Sequence, residues 1–306
     1  MLALRTSQAR FVRSFQRYSH TVTNAKKITL PKLHEMAQNS QKIAMLTAHD
    51  SLSARMAEEA GVDIVLVGDS LAMVSMGFPD TSQITLDEMI YHCKAVKRGC
   101  QTPFIIGDLP FGSYEQSVEK GVESTVRMIK EGGADCVKFE GGRELAPMVE
   151  RLSQYGIATM PHIGLTPQRQ VATGGFKVQG RKAESAFRLL EDALVLESAG
   201  AQLFLLEGVP TEIGEVISSK VKIPVIGIGA GAGTSGQVLV QLDMLGGFDD
   251  FKPKFLKRYA DLLGYSTSAM KQYVQEVRQN EFPQREHSYS MKEEEFIKFT
   301  KLAERV

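Results

Sequence analysis

Gly61-Val-Asp-Ile-Val-Leu-Val-Gly-Asp69 follows a plan that returns as Gly133-Ala-Asp-Cys-Val-Lys-Phe-Glu140 and again as Gly200-Ala-Gln-Leu-Phe-Leu-Leu-Glu207. Each copy pairs a glycine suited to the left-handed residue after a helix with an apolar run, then a carboxylate. The runs are apolar on both faces, as buried parallel strands must be. A charge has little structural reason to end such a strand. Side by side, parallel strands deliver their carboxyl ends to one edge of a sheet, where α/β proteins hold ligands.

Outward from these copies the pattern continues. Lys42-Ile-Ala-Met-Leu-Thr-Ala-His-Asp50 reads as a first strand, and further strands are predicted at 63–69, 103–108, 135–140, 157–162, 202–207 and 224–229. A weaker eighth is predicted over 239–245. Thr85-Leu-Asp-Glu88 is a capping box, Thr166-Pro167 offers an N-cap with proline at the first helical position, and Leu30 to Asn39 reads as a short helix. Repeated βα units predict a (β/α)8 barrel over residues 28–265, with helical extensions before it and over 266–306. Met291-Lys-Glu-Glu-Glu-Phe-Ile-Lys-Phe-Thr-Lys301 reads as a surface or partner-contact helix.

Bulk composition narrows the function. The 306 residues carry 36 basic and 36 acidic side chains, with no basic stripe, so a sequence-independent grip on nucleic acid is not expected. No apolar run approaches the roughly 20 residues that span a bilayer. Cys93, Cys100 and Cys136 are odd in number and form no C-x-x-C pair, which argues against a disulfide framework and structural zinc. Small-molecule chemistry remains.

The first 34 residues contain no acid, and Arg5, Arg10, Arg13 and Arg17 are interleaved with Ser, Thr and Gln. On a helix Leu4, Phe11, Phe15 and Tyr18 share one face, opposite Arg10, Arg13 and Arg17. This is the pattern of a mitochondrial presequence over 1–18, cleaved near Tyr18, which predicts a matrix location. Its removal lowers Lys plus Arg from 36 to 32 against 36 acids, leaving a net charge of −4.

Polar residues close nearly every strand: Asp50, Asp69 with Ser70, Asp108, Lys138 with Glu140, His162 and Glu207. Lys138 and Glu140 are two apart on a strand and project to one side. Asp69, Asp108 and Glu140 offer hard oxygen ligands suited to Mg2+ rather than zinc or copper. Any one of them could be an ordinary N-cap; three on one rim with a lysine and a histidine exceed that account. Glu207, after Leu203-Phe-Leu-Leu206, has the apolar setting of a general base. His162 reads equally as a core histidine or a ligand contact. Ser70 lacks a G-x-S-x-G elbow, which favours a hydrogen-bonding role over a nucleophilic one. Gly231-Ala-Gly-Thr-Ser-Gly236 matches a dinucleotide fingerprint, but the sequence beyond it reads as mostly helical, so a tight turn or a backbone approach to ligand is the better reading.

Taken together, Val67-Gly-Asp-Ser-Leu71, Gly107-Asp-Leu-Pro-Phe111, Val137-Lys-Phe-Glu-Gly-Gly142, Pro161-His-Ile-Gly-Leu-Thr-Pro-Gln168, Gly174-Gly-Phe-Lys-Val-Gln-Gly-Arg181 and Pro224-Val-Ile-Gly-Ile-Gly-Ala-Gly231 resemble the ketopantoate hydroxymethyltransferase family from about residue 28 to 288. The resemblance implies a (β/α)8 barrel of the phosphoenolpyruvate/pyruvate type. It would make 2-dehydropantoate (ketopantoate) from 3-methyl-2-oxobutanoate and methylene-tetrahydrofolate, for pantothenate and coenzyme A synthesis. It implies Mg2+ on Asp69 and Asp108, with Glu140 direct or through water, and keto acid contacts from Ser70 and Lys138. Asp69, Asp108 and His162 join that substrate set, and Glu207 becomes the base that removes the C3 proton. The enolate would then attack the one-carbon unit that the folate releases as an iminium. Family members are commonly decamers, so a homo-oligomer is expected. His49, Ala72 and Leu242 stand where the family more often has Tyr, Gly and His. Rival readings are a Mg-dependent lyase or mutase of the same barrel superfamily, which generally uses a cysteine or another acid in a flexible loop where none of the three cysteines here falls, and a catalytically silent scaffold.

Overall fold

The computed structural model describes residues 26–249 and 252–306, so the presequence reading over 1–18 lies outside the described residues. Eight parallel strands close on themselves in sequence order: β1 Ile43–Thr47, β2 Ile64–Val67, β3 Phe104–Asp108, β4 Cys136–Glu140, β5 Thr159–Gly164, β6 Phe204–Glu207, β7 Val225–Ile228 and β8 Gly236–Leu239. β8 pairs with β1 from Ile43↔Gly236 to Leu46↔Leu239 and closes the ring. The helices are α1 Leu30–Gln38, α2 Ser51–Glu59, α3 Leu71–Val74, α4 Leu86–Gly99, α5 Val118–Arg127, α6 Ala146–Gln154, α7 Gln170–Thr173, α8 Ala183–Ser198, α9 Thr211–Lys220, α10 Gln241–Met244, α11 Leu262–Arg278 and α12 Glu293–Ala303. The predicted barrel is therefore present, with each of its first seven strands overlapping the expected segment.

Alternation along each strand splits the core in two. Inward residues Met45, Ile64, Leu66, Phe104, Ile106, Cys136, Met160, Leu205 and Ile226 pack as one cluster, closed below by Leu33 and Met36 of α1. Outward residues such as Val65, Val67, Ile105, Val137, Phe139, Phe204 and Leu206 pack against the helices. Burying Leu33 and Met36 contributes about 1.5–3 kcal/mol each, which is enough to hold α1 as a plug. The glycines that precede the three repeated strands have the predicted left-handed backbone, with φ of 78° at Gly61, 78° at Gly133 and 102° at Gly200.

Several expectations need correction. The eighth strand is Gly236–Leu239, not 239–245, and most of the latter stretch is α10. No helix separates β7 from β8. Residues 229–235 run straight back along the barrel, replacing the usual crossover of a dozen or more residues. Glycine makes this possible: Gly231 has φ +82°, and a Cβ there would meet Thr211 of α9 at 2.5 Å. The dinucleotide-like match is thus a tight return packed under α9. Lys42 secures it by donating to the carbonyls of Ala232 and Thr234.

Asp50 proves to be an N-cap, accepting from Ser53 N at 2.7 Å. The capping box before α4 forms as predicted, whereas Thr166 makes no side-chain cap and opens only a short 3-10 turn, Pro167–Arg169. The extension predicted from residue 266 begins earlier, since α11 starts at Leu262 behind the Asp261 cap. Neither α11 nor α12 has a buried residue.

Candidate active site

At the strand exits the inward positions change character. Asp108 on β3 is in register with Lys138 on β4, and Glu140 on β4 with His162 on β5. Asp69, Asp108, Lys138, Glu140 and His162 are all at most 4% exposed. Burial at this level demands partners for every charge.

Lys138 Nζ lies 3.0 Å from Asp108 Oδ2, which also accepts the Asp69 backbone N–H at 3.0 Å. Glu140 Oε2 accepts from Gln168 N at 2.9 Å, and its Oε1 lies 3.4 Å from His162 Nδ1. On its other edge, His162 Nε2 faces Glu207 Oε2 at 3.3 Å, near enough for attraction between charges but not aligned as a hydrogen bond. A chain of charged groups therefore runs across the mouth from Asp69 to Glu207. Gly164 helps set its far end: it has φ +96°, and a Cβ there would meet the Glu207 carbonyl at 2.3 Å.

The electrostatics follow from this crowding. Burial, reinforced by Asp108 and Glu140 and opposed by Lys138, pushes Asp69 up to about 8. Burial also raises Asp108, against the pull of Lys138 and the Asp69 N–H. For Glu140 burial acts upward too, but His162, Lys138 and the Gln168 N–H outweigh it and hold the carboxyl below its usual range. Burial and Lys138 work against a charged His162, yet Glu140 and Glu207 prevail and lift the imidazole to about 9. Lys138 is likewise kept charged by Asp108, Asp69 and Glu140 despite its burial. The site is three buried carboxyl groups, of which Asp69 keeps its proton near neutral pH, and a partly accessible fourth, with one ammonium and one imidazolium among them.

The sequence reading placed Glu207 in an apolar setting; in the structure its side chain keeps 17% exposure, and its neighbour is His162. Ser70 is partly accessible at the start of α3. Two site residues escaped the sequence reading. Gln168 is 7% exposed and bonds Asp69 Oδ2 at 2.8 Å and the Leu109 carbonyl at 3.1 Å through Nε2. Tyr114, 3% exposed, donates to Gln168 Oε1 at 2.6 Å. Neither ends a strand or bears a charge at neutral pH, so the strand-exit pattern passes over both. The signal for Gln168 was its place six residues after His162, beside a proline-fixed turn.

Among the described residues no three His, Cys, Asp or Glu side chains stand in the arrangement of a ready metal site. Gln168 and Lys138 take up oxygens of the three carboxylates expected to share an ion. The donor set nevertheless fits a hard dication. Asp108 Oδ1 is buried without a partner. A Cβ added at Gly68 would come within 3.3 Å of Ser70 Oγ, 3.4 Å of Leu66 Cδ2 and 3.5 Å of Asp108 Oδ2, so the absent side chain leaves two oxygens and one methyl group facing the backbone. Clustered carboxyl oxygens, one of them unmatched, suit a cation held by carboxylates.

All three cysteines are buried, and burial raises each thiol, Cys100 to about 11. None is poised as a nucleophile, which removes support from the lyase or mutase rival.

The sequence profile described as ketopantoate hydroxymethyltransferase matches residues 27–285. The chain belongs to that family. A 3-methyl-2-oxobutanoate hydroxymethyltransferase from Emericella nidulans is 48% identical over 278 residues, covering 90% of this chain and 80% of that one. One from Oleidesulfovibrio alaskensis is 54% identical over 259 residues, covering 85% and 90%. Among solved structures, 2,3-dimethylmalate lyase, of the PEP mutase/isocitrate lyase superfamily, aligns with a TM-score of 0.54 at 16% identity, covering 90% of this chain and 95% of that one. Phosphonopyruvate hydrolase in complex with oxalate and Mg++ aligns at 0.55 and 12% identity, covering 90% and 97%. At such identities these two likenesses speak to the fold alone. The family's barrel ends before α12, which lies wholly beyond the matched residues.

Proposed function

We propose that this enzyme of the ketopantoate hydroxymethyltransferase family transfers a hydroxymethyl group from methylene-tetrahydrofolate to 3-methyl-2-oxobutanoate, giving 2-dehydropantoate for pantothenate synthesis. In the balanced reaction the C3–H bond of the keto acid breaks, C3 gains a CH2OH group whose hydroxyl comes from water, and tetrahydrofolate leaves. The observation that carries this reading is the buried Asp69–Asp108–Lys138–Glu140 group joined through His162 to Glu207.

Asp69 and Asp108 are the residues we assign to hold Mg2+, with Glu140 beside them. When bound, the cation supplies electrophilic polarisation of the keto acid's oxygens. Lys138 offers a buried positive charge to the same anionic substrate, and Ser70 a hydroxyl at the entrance. Glu207 accepts the C3 proton from the open side of the mouth, where its carboxylate is accessible and faces His162. His162 stands between that carboxylate and Glu140 and attracts both.

Deuterium exchange at C3 of 3-methyl-2-oxobutanoate tests the assignment. Wild-type protein with Mg2+ should exchange C3, a chelator should stop it, and Glu207→Gln should lose roughly 10²–10⁴-fold of the rate while still binding keto acid. Undiminished exchange by Glu207→Gln excludes Glu207 as the base.

We also infer a mitochondrial matrix enzyme that assembles as a homo-oligomer, a decamer by analogy with the family. The acid-free, Arg-rich segment 1–18 supports the first. Outward Tyr265, Met270 and Tyr273 on α11 are compatible with the second. Intact-mass and light-scattering measurements on protein purified from mitochondria address both: an intact Met1 opposes import, and a monomer opposes assembly.

A further inference from the structure

We propose that Gln168, its amide oriented by Tyr114, is a positioning residue that sets the Asp69 and Glu140 carboxylates for cation binding. The inference rests on the cation reading above and adds residues to which that reading gives no role.

Gln168 reaches three strand exits at once. It lies in the middle of the 3-10 turn Pro167–Arg169 after β5, where a backbone N–H at the start of the turn has no partner within it. That N–H goes to Glu140 Oε2 at 2.9 Å, at the end of β4. The side-chain Nε2 goes to Asp69 Oδ2 beyond β2 and to the Leu109 carbonyl beyond β3, at 2.8 and 3.1 Å. One residue thus fixes two carboxylates that approach the mouth from separate strands.

The partners around the amide favour one direction. An amide nitrogen carries two hydrogens and the oxygen none. Both hydrogens find acceptors, and Oε1 accepts the Tyr114 hydroxyl hydrogen at 2.6 Å. The same hydroxyl oxygen accepts the Glu140 backbone N–H at 3.1 Å, and of the two acceptors its single hydrogen can reach, Gln168 Oε1 at 2.6 Å is nearer than the Glu140 carbonyl at 3.1 Å. A flipped amide would set its oxygen against the Leu109 carbonyl, an acceptor that repels it. Tyr114, donating over the shorter distance to Oε1, therefore favours the orientation in which Gln168 donates to Asp69.

The consequence for a cation is geometric. Protein donors hold Oδ2 of Asp69 through Gln168, Oδ2 of Asp108 through Lys138 and Oε2 of Glu140 through Gln168 N–H, while Glu140 Oε1 faces His162 at 3.4 Å. Asp108 Oδ1 is left buried without a partner. Outer partners of this kind, which orient ligands without touching the ion, typically change metal affinity by roughly 10–100-fold when removed.

Mn2+ binding to the full-length protein, followed by electron paramagnetic resonance, is the test, with thermal melting in the absence of metal as the fold control. Gln168→Met keeps the volume and removes the amide; it should weaken Mn2+ by roughly 10–100-fold. Tyr114→Phe keeps the ring that packs on Phe139 and should weaken Mn2+ in the same direction by a smaller factor. Wild-type affinity in a folded Gln168→Met overturns the proposal, and if that variant does not fold, wild-type affinity in Tyr114→Phe overturns it. Asp69→Asn and Asp108→Asn separate the two layers of inference. If both still bind Mn2+ like the wild type, the cation reading itself falls; if both lose it while the Gln168 and Tyr114 variants do not, only the positioning role falls.

Discussion

Along β4 the inward positions pass from Cys136 to Lys138 to Glu140, and along β3 from Phe104 to Ile106 to Asp108, with no residue of either set more than 4% exposed. The lower barrel and its mouth are thus equally dry but filled differently. Below, side chains of Met45, Leu66, Ile106, Met160 and Leu205 are held by packing that has no directional requirement. Above, each charge depends on a named partner a few ångströms away. A hydrophobic layer stabilises the fold wherever it is placed, whereas a buried ion group gives back little after its desolvation cost. The base of the barrel makes the structure stand; the mouth draws on that stability to hold charges where chemistry needs them.

The sharpest way to break this contrast is to remove Lys138. In Lys138→Met the Asp108 and Asp69 carboxylates lose the ammonium between them, and loss of one partner from a buried pair costs about 3–5 kcal/mol. The loss should depend on pH. Without Lys138 both acids rise further above their unfolded values, so the folded state holds protons that the unfolded chain has released; the penalty at Asp108 grows with pH and is relieved as pH falls toward 5, while Asp69, already protonated below about 8, adds to it only above that. Urea unfolding at pH 5 and pH 8 reads the difference. An equal loss at both pH values would mean that Lys138 acts through its packing.

The matching change below is Ile106→Ala, two residues before Asp108 on the same inward row. It should cost about 2–5 kcal/mol through lost burial and a residual cavity. This loss should be the same at pH 5 and pH 8, and the rate per folded molecule should stay within about twofold, since no charge is moved. A large fall in rate at a temperature where the variant is folded would show that the lower layer sets the geometry of the mouth, and the division between the two halves would blur.

The same contrast explains what could be read from the sequence. Strands ending at Asp108, Glu140 and Glu207 were legible because a charge after an uninterrupted apolar run is anomalous, and a period of two put Lys138 and Glu140 on one face. The family motifs then supplied roles that periodicity could not. Gln168 and Tyr114 were not legible, because neutral residues in connections look the same whether they face solvent or tie two strands together. The eighth strand was displaced for a different reason. Gly229 to Gly236 reads as punctuation, and nothing local says that seven residues can replace a crossover helix unless α9 is already there to receive them. His162 stayed ambiguous since its partners, Glu140 and Glu207, come from neighbouring strands.

The smallest effect concerns the proton that the mouth keeps when it holds no ion. Asp69 is pushed up to about 8 by burial together with Asp108 and Glu140, so at neutral pH a dication must displace a proton to reach it. Affinity for Mg2+ should therefore rise with pH, by up to roughly tenfold per unit between 6 and 8, and level off above. Calorimetry in two buffers of different ionisation enthalpy should count about one proton released at pH 7 and fewer at pH 9. In Asp69→Asn the residual affinity should lose most of this slope, because the displaced proton is gone along with the carboxylate. A slope that survives the substitution would move the proton to Asp108, whose carboxyl burial also raises, and would make the two acids a single titrating unit. In the lower half of the barrel, where Ile106 and Leu66 fill the corresponding inward positions, the Cys136 thiol is kept protonated by burial and contributes no such slope.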